Sequence, residues 1–139
     1  MTSSDADLAT ISLDQFVAAP PAKVWRALTD PELHGRWWAP GDIAATVGHR
    51  FHLDMPGWGS IPCEVVEVEP ERRFVYTFNE NWTLAWQLTP EGDGTLLHLD
   101  HSGFDLDEHK SRDAYGRMGP GWRDKVLPGL ARLVEGLSD

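Results

Sequence analysis

The run Thr95-Leu96-Leu97-His98-Leu99-Asp100-His101-Ser102-Gly103-Phe104, taken with the segment downstream of it, settles the architecture of this chain. Strict alternation through this run places His101 on the face that carries Leu97 and Leu99. Downstream, Tyr115, Met118, Trp122, Val126, Leu130, Leu133 and Leu137 recur at helical spacing. An imidazole on the apolar face of a strand, opposite a long helix with an aromatic stripe, is the pattern expected of the wall and lid of an internal pocket.

Working back from that strand, the period stays at two as far as Arg50. Phe51, Leu53 and Met55 alternate with Arg50, His52 and Asp54, and Pro56-Gly57-Trp58-Gly59 supplies a turn. In the next strand Ile61, Cys63 and Val65 share one face while Val66 and Val68 fall on the other, a change of parity that predicts a bulge. Phe74, Tyr76 and Phe78 form the following strand, and Trp82, Leu84, Trp86 and Leu88 the one after. The connections are short, so the strands are expected to run as an antiparallel meander.

Before the meander, Ile11, Leu13 and Val17 mark a first strand, with Gln15 and Phe16 blurring its end. Pro20-Pro21 stops it and opens a helix with Val24, Trp25 and Leu28 on one face. Asp30-Pro31 reads as the cap and first turn of a second short helix that carries Trp37 and Trp38 near its end. After the meander, Gly116, Gly119, Pro120 and Gly121 fall where the long helix is expected to begin, and Pro128 predicts a kink inside it. Residues 1–7 are polar and expected to be disordered, and residues 1–139 to form one domain. The predicted class is α+β: a curved antiparallel sheet wrapped around a long C-terminal helix, with two short helices after the first strand.

Composition narrows the partners. With 22 acidic residues against 12 basic the net charge is −10, which disfavours nucleic acid and anionic lipid surfaces. The lone Cys63 forms no internal disulfide, the first residues carry no leader pattern, and the expected location is the cytoplasm. No apolar run approaches the ~20 residues needed to span a membrane, so membrane insertion is not expected. The seven tryptophans suit an amphipathic cavity lining as well as a tight core.

The chemistry-bearing residues point to binding more than to catalysis. The pairs His49/His52 and His98/His101 have a spacing that sends the two rings to opposite faces of a strand, so no metal site is expected, and no cofactor is implied. His34 and His109 fall at positions where a solvated histidine is expected. His101 must find a hydrogen-bond partner or remain neutral, either as a structural residue bonded to a carbonyl, tyrosine or tryptophan or as a group touching a ligand. Asp100 is on the opposite face and is not its orienting carboxylate. Cys63, between Ile61 and Val65, reads as a buried wall residue rather than a nucleophile. Candidate ligand-contacting residues from the sheet are Phe51, Leu53, Cys63, Phe78, Trp82, Trp86 and His101. The helices add Trp38, Tyr115, Met118 and Trp122.

Several separated motifs occur in order: Pro21-Ala22-Lys23-Val24-Trp25-Arg26-Ala27-Leu28-Thr29-Asp30-Pro31-Glu32-Leu33 ending in Trp37-Trp38; Glu67-Val68-Glu69-Pro70 with Arg73-Phe74-Val75-Tyr76-Thr77-Phe78; Leu88-Thr89-Pro90 with Gly94-Thr95; His101-Ser102-Gly103-Phe104; and Gly121-Trp122. Over residues 10 to 137 the chain thereby resembles the START-like (SRPBCC, helix-grip) superfamily, in the branch named after the activator of Hsp90 ATPase. The resemblance implies a pocket between the sheet and the long helix. Hsp90 itself is not expected as a partner, because those co-chaperones also use a separate Hsp90-binding domain.

The leading expectation is a non-catalytic carrier or sequestering protein for a small hydrophobic or polycyclic molecule. One alternative is an enzyme of the polyketide cyclase or dehydratase type, with His101 or Tyr115 moving protons. The resemblance implies another. Some relatives confer resistance to enediyne antibiotics by self-sacrifice, a diradical taking hydrogen from a backbone glycine, for which Gly116, Gly119 and Gly121 are the candidates here. Against it stands the ordinary use of such glycines in turn geometry.

Overall fold

The structure, a computed structural model, describes residues 8–55, 59–79 and 81–137. The expected disorder of residues 1–7 and the Pro56-Gly57-Trp58 part of the expected turn lie outside the described residues. Chain order is β1 (Leu8–Val17), α1 (Pro21–Thr29), α2 (Pro31–Trp37), β2 (Arg50–Met55), β3 (Gly59–Glu69), β4 (Arg73–Phe78), β5 (Trp82–Glu91), β6 (Gly94–Asp105), α3 (His109–Gly121), a π-helical turn (Trp122–Val126) and α4 (Leu127–Glu135).

The six strands make one antiparallel sheet in the order β1-β6-β5-β4-β3-β2, so the meander closes by bringing β1 back against β6. The predicted bulge is present: the β3–β4 register shifts between Val65 and Glu67, leaving Val66 exposed and returning Val68 to the inner side opposite Phe74. That bend, with a second shift at Ala9/Thr10 in β1, curves the sheet around the helices. Phe16 blurs the alternation for a simple reason: it is on the solvent side, 47% exposed, while the backbone ladder continues through it.

Local chemistry starts the helices where the sequence indicates. Pro21 opens α1, and the Asp30 carboxylate accepts hydrogen bonds from the backbone N–H of Glu32 (2.9 Å) and Leu33 (3.4 Å), capping α2. Gly103 is required by its surroundings. Its φ of +99° is strained for other residues, and a Cβ there would lie 2.1 Å from the Asn81 carbonyl oxygen.

The C-terminal helix differs from expectation in two ways. It begins at His109, so Gly116, Gly119 and Gly121 lie inside α3 with helical backbone rather than in a turn before it. The deviation tied to Pro128 is a π turn and not a break. Proline has no N–H, and its ring crowds the carbonyl four residues back; the preceding residues widen to i→i+5 spacing, with the Leu127 N–H bonded to the Trp122 carbonyl. Beyond it α4 is firmly seated, with Leu127, Leu130, Ala131 and Val134 buried. The Glu135 carboxylate accepts from the Ala18 N–H (2.9 Å), and Lys23 Nζ donates to the Leu137 carbonyl (2.9 Å). By contrast, α3 buries only Ser111 and Ala114 completely.

Candidate functional site

The inner face of the sheet converges on His101. Register places it between Ile11 of the edge strand β1 and Leu84 of β5, and its side chain is completely buried. Its ring lies edge-on to Phe78 (5.6 Å between centroids) and Trp82 (5.8 Å), and tilted against Phe104 (4.7 Å). From the π turn, Trp122 Nε1–H donates to His101 Nδ1 at 3.1 Å. The structural partner of this histidine is therefore a tryptophan, and it occupies one nitrogen only. The indole N–H is purely a donor, so Nδ1 offers a lone pair and the proton of the neutral ring resides on Nε2. Nε2 is buried and has no hydrogen-bond partner among the described residues. An unpaired buried donor costs about 1–3 kcal/mol. Burial also lowers the His101 pKa to about 3, so the ring stays neutral at ordinary pH.

Beside this ring is a hollow of about 150 Å³, lined by Trp38, Met55, Phe78, His101, Met118, Gly121, Trp122 and Val126. Trp38 and Trp122 close its helical side, with ring centroids 4.7 Å apart. A cleft of about 410 Å³ adjoins it, sharing Met55, Phe78 and Met118, and adds Ile61 and Trp82 with a polar rim of Asn79, Asn81, Glu108, Lys110 and Ser111. A larger concavity of about 580 Å³ lies between the β3–β4 turn and the end of β5, around Glu69–Arg73 and Gln87–Pro90. It is remote from the buried aromatic cluster, and neither of the two unpartnered buried side-chain nitrogens lines it.

Of the residues singled out in the sequence, Trp38, Phe78, His101, Met118 and Trp122 border the hollow, and Trp82 borders the adjoining cleft. Phe51, Leu53, Cys63 and Trp86 are buried in the packed core and border neither space. Trp86 spends its indole N–H on the Tyr76 hydroxyl (3.2 Å) and packs edge-on against Trp37 and Trp122. The Cys63 thiol lies 3.6 Å from the Ile61 carbonyl, and burial pushes its pKa up to about 12, which disfavours the nucleophilic thiolate. Tyr115 is half-buried, its ring edge-on to Phe104 at 5.4 Å, and does not border the hollow. Gly121 does, Gly119 faces Ile11, and Gly116 is exposed on the outer side of α3. None of the three helical glycines has a positive φ, and a Cβ at Gly116 or Gly121 would meet nothing within 4 Å. Turn geometry therefore does not explain them.

Two residues lining the hollow are missing from the sequence-derived set, as are Ile61 and the polar rim of the cleft. Met55 forms the wall between hollow and cleft, and Val126 closes the hollow from the π turn. Their periodicity marks them only as inward-facing.

His34 corrects the expectation of a solvated residue. It is 1% exposed, its Nδ1–H donates to the Ala39 carbonyl (2.7 Å), and burial lowers its pKa to about 4. Its rings of contact are Trp37 and Trp38 (4.7 and 5.4 Å), and Nε2 is left unpartnered among the described residues. The i, i+4 relation of His34 to Trp38 is the signal in the sequence that points to this burial. His98, by contrast, is on the outer face, held by Asp14 (2.6 Å) and Asp100 (3.0 Å), with Ser12 donating to the same Asp100 oxygen (2.6 Å). Its hydrogen bond to Asp14, above all, raises its pKa. Asp100 is thus engaged away from His101, and His98 and His101 cannot act on one ligand.

No described helix is long and apolar enough to cross a membrane. Residues 18–135 match the family described as Activator of Hsp90 ATPase homolog 1-like protein. Among solved structures, protein MLL2253 from Mesorhizobium loti is 32% identical with a TM-score of 0.83, the similarity covering 94% of this chain and 100% of that one. CalU16 from Micromonospora echinospora is 28% identical (TM-score 0.71; 91% and 76% covered). DynU16, a putative protein in the dynemicin biosynthetic locus, is 26% identical (TM-score 0.76), with 91% of this chain matching 47% of that one. No curated protein matches the chain. The helix-grip architecture, the match over most of the length and the similarity to these structures agree, and the chain belongs to the activator of Hsp90 ATPase homolog 1-like family of the START-like (SRPBCC) superfamily.

Proposed function

We propose that the protein binds a small apolar, ring-bearing molecule between the sheet and the α3–π-turn segment, acting as a carrier or sequestering protein in the cytoplasm. The observation that carries this reading is the hollow bordered by Trp38, Phe78 and Trp122, which shares Met55, Phe78 and Met118 with an adjoining cleft that has a polar rim. Rigid rings around a void at the seam between two layers are what a site for a largely apolar ligand requires. Paired methionines let such a site adapt to shape. The π turn supports it as well, since such turns recur at functional sites. Hsp90 plays no part in this reading.

Binding is favoured over the cyclase or dehydratase alternative by the state of the two candidate proton carriers. His101 is held neutral with Nδ1 occupied by Trp122, and no carboxylate among the described residues backs it. Tyr115 is turned against Phe104. Native mass spectrometry of purified protein, followed by thermal shift with the extracted molecule, tests the proposal. A stoichiometric apolar molecule recovered unchanged, raising Tm on re-addition, supports it. Catalytic conversion of that molecule on incubation favours the enzyme reading.

A second reading, self-sacrifice toward an enediyne, is favoured by the similarity to CalU16 and DynU16 together with three helical glycines that neither φ nor steric contact demands, one of them beside the hollow. Drug-dependent chain cleavage at Gly116, Gly119 or Gly121, read by mass spectrometry and lost in the corresponding alanine variant, would select it. An intact chain after exposure to activated drug would eliminate it.

A further inference from the structure

We propose that the hollow selects a neutral, planar molecule presenting a carbonyl-type hydrogen-bond acceptor to His101 Nε2–H, with the rest of the molecule leading out past Met55 and Met118 toward the polar rim of the adjoining cleft. The inference rests on the binding reading above and gives the ligand its chemical class.

The proton position is set by Trp122. Its indole N–H can only donate, and at 3.1 Å it claims Nδ1 as acceptor. His101 therefore turns a donor, not a lone pair, toward the rest of its surroundings. His101 borders the hollow, and its Nε2 donor is fully buried and has no partner among the described residues. The remaining lining side chains are apolar apart from the indole nitrogens of Trp38 and Trp122, and the Trp122 nitrogen is already engaged. A water molecule needs two to four polar partners to be held well, and the hollow provides few beyond His101. A single acceptor atom on an otherwise apolar ligand fits this supply; a hydrocarbon wastes the donor.

Charge is excluded by the same lining. Among the described residues no Lys, Arg, Asp or Glu borders the hollow, so neither a carboxylate nor an ammonium would find a counter-ion there, and each would be stripped of water at large cost. Size limits the buried part. A volume of about 150 Å³ accommodates one or two fused small rings. The rim of Asn79, Asn81, Glu108, Lys110 and Ser111 belongs to the cleft that shares Met55 and Met118 with the hollow, and it offers both donors and a carboxylate acceptor to a polar tail.

The test compares three probes of one shape, indane, 1-indanone and indane-2-carboxylate, by NMR titration of ¹⁵N-labelled full-length protein. 1-Indanone is expected to bind about tenfold more tightly than indane, the scale of one hydrogen bond to an otherwise unpaired buried group. It should also shift the His101 Nε2 resonance, which indane should leave unmoved, and the carboxylate should not enter. In His101→Leu the preference for the ketone should fall to within about twofold; the wild-type comparison decides the matter if that variant does not fold. Equal binding of indane and 1-indanone, without a response at Nε2, overturns the inference while leaving the hydrophobic site standing. Tighter binding of the carboxylate also overturns it. Failure of all three to bind removes both the inference and the binding proposal.

Discussion

Acidification should unfold this protein through two residues, and the size of the effect can be worked out. His34 and His101 are buried and neutral, with pKa values lowered to about 4 and about 3. In the unfolded chain both return to the ordinary histidine value near 6.5. Above that value neither state binds the proton and stability does not change. Below it the unfolded state takes up a proton at each position that the folded state refuses, so stability falls with pH until the folded values are reached. At about 1.4 kcal/mol per pH unit, going from about pH 7.5 to about pH 5 costs about 2 kcal/mol per histidine and about 4 kcal/mol for the pair. Against a typical total of about 5–15 kcal/mol this is a large fraction. The window lies above the ordinary carboxylate range. His98 acts in the opposite direction because its pKa is raised, so the measurement belongs in a His98→Asn background.

Urea unfolding at several pH values gives the slope, and His34→Leu and His101→Leu should each remove about half of it, whatever they do to stability at neutral pH. The imidazole carbon resonances of His34 and His101 should show no titration down to about pH 5. Midpoints near 6.5 for both rings in the folded protein, or a slope unchanged by the substitutions, would refute the reasoning.

Other perturbations separate the glycines from one another. Gly116→Ala should stabilise by about 0.5–1 kcal/mol, because its φ is helical and the added methyl meets nothing within 4 Å, as chemical denaturation would register. Gly103→Ala should destabilise by about 2–3 kcal/mol or prevent folding, since the methyl collides with the Asn81 carbonyl at φ +99°. Asp30→Ala should cost about 1 kcal/mol, with protection from amide exchange lost at Glu32 and Leu33. His98→Asn should lower stability at acid pH and make progressively less difference as pH rises through the raised folded pKa. The favourable pairing with Asp14 and Asp100 is present only while the ring is protonated in the folded state. A pH-independent effect would show that those contacts do not depend on charge.

Local periodicity and capping place the strands and the first two helices. The alternation from Phe51 to Phe104, the parity change at Val66 and the Asp30–Pro31 cap each depend on residues close in the chain, and each reappears in the fold; of the expected helical stripe Trp122 and Leu130 are buried, but past the π turn Leu127 and Val134 take the inner positions while Val126, Leu133 and Leu137 are only half-buried. The orientation of His101 is equally legible, because parity along a strand determines its face. Periodicity misleads where a helix boundary or a solvent exposure depends on distant packing. The glycines of α3 read as a turn, although Ser111 and Ala114 dock that segment earlier; His34 reads as solvated, although Trp37, Trp38 and the Ala39 carbonyl enclose it.

Which side chains face inward is already written in the order of the amino acids, since direction is set by the repeat of helix and strand. How deep each one lies depends on packing. Phe51, Leu53, Cys63 and Trp86 share the inner face with Phe78 and His101, yet the former are packed solid while the latter border an open space. The difference arises from the π turn that sets Trp122 over His101 and from the placing of Met55 and Met118, which border both the hollow and the cleft, on elements far apart along the chain. Periodicity records direction; a void is a matter of distances between elements, which exist only once the helix has settled on the sheet.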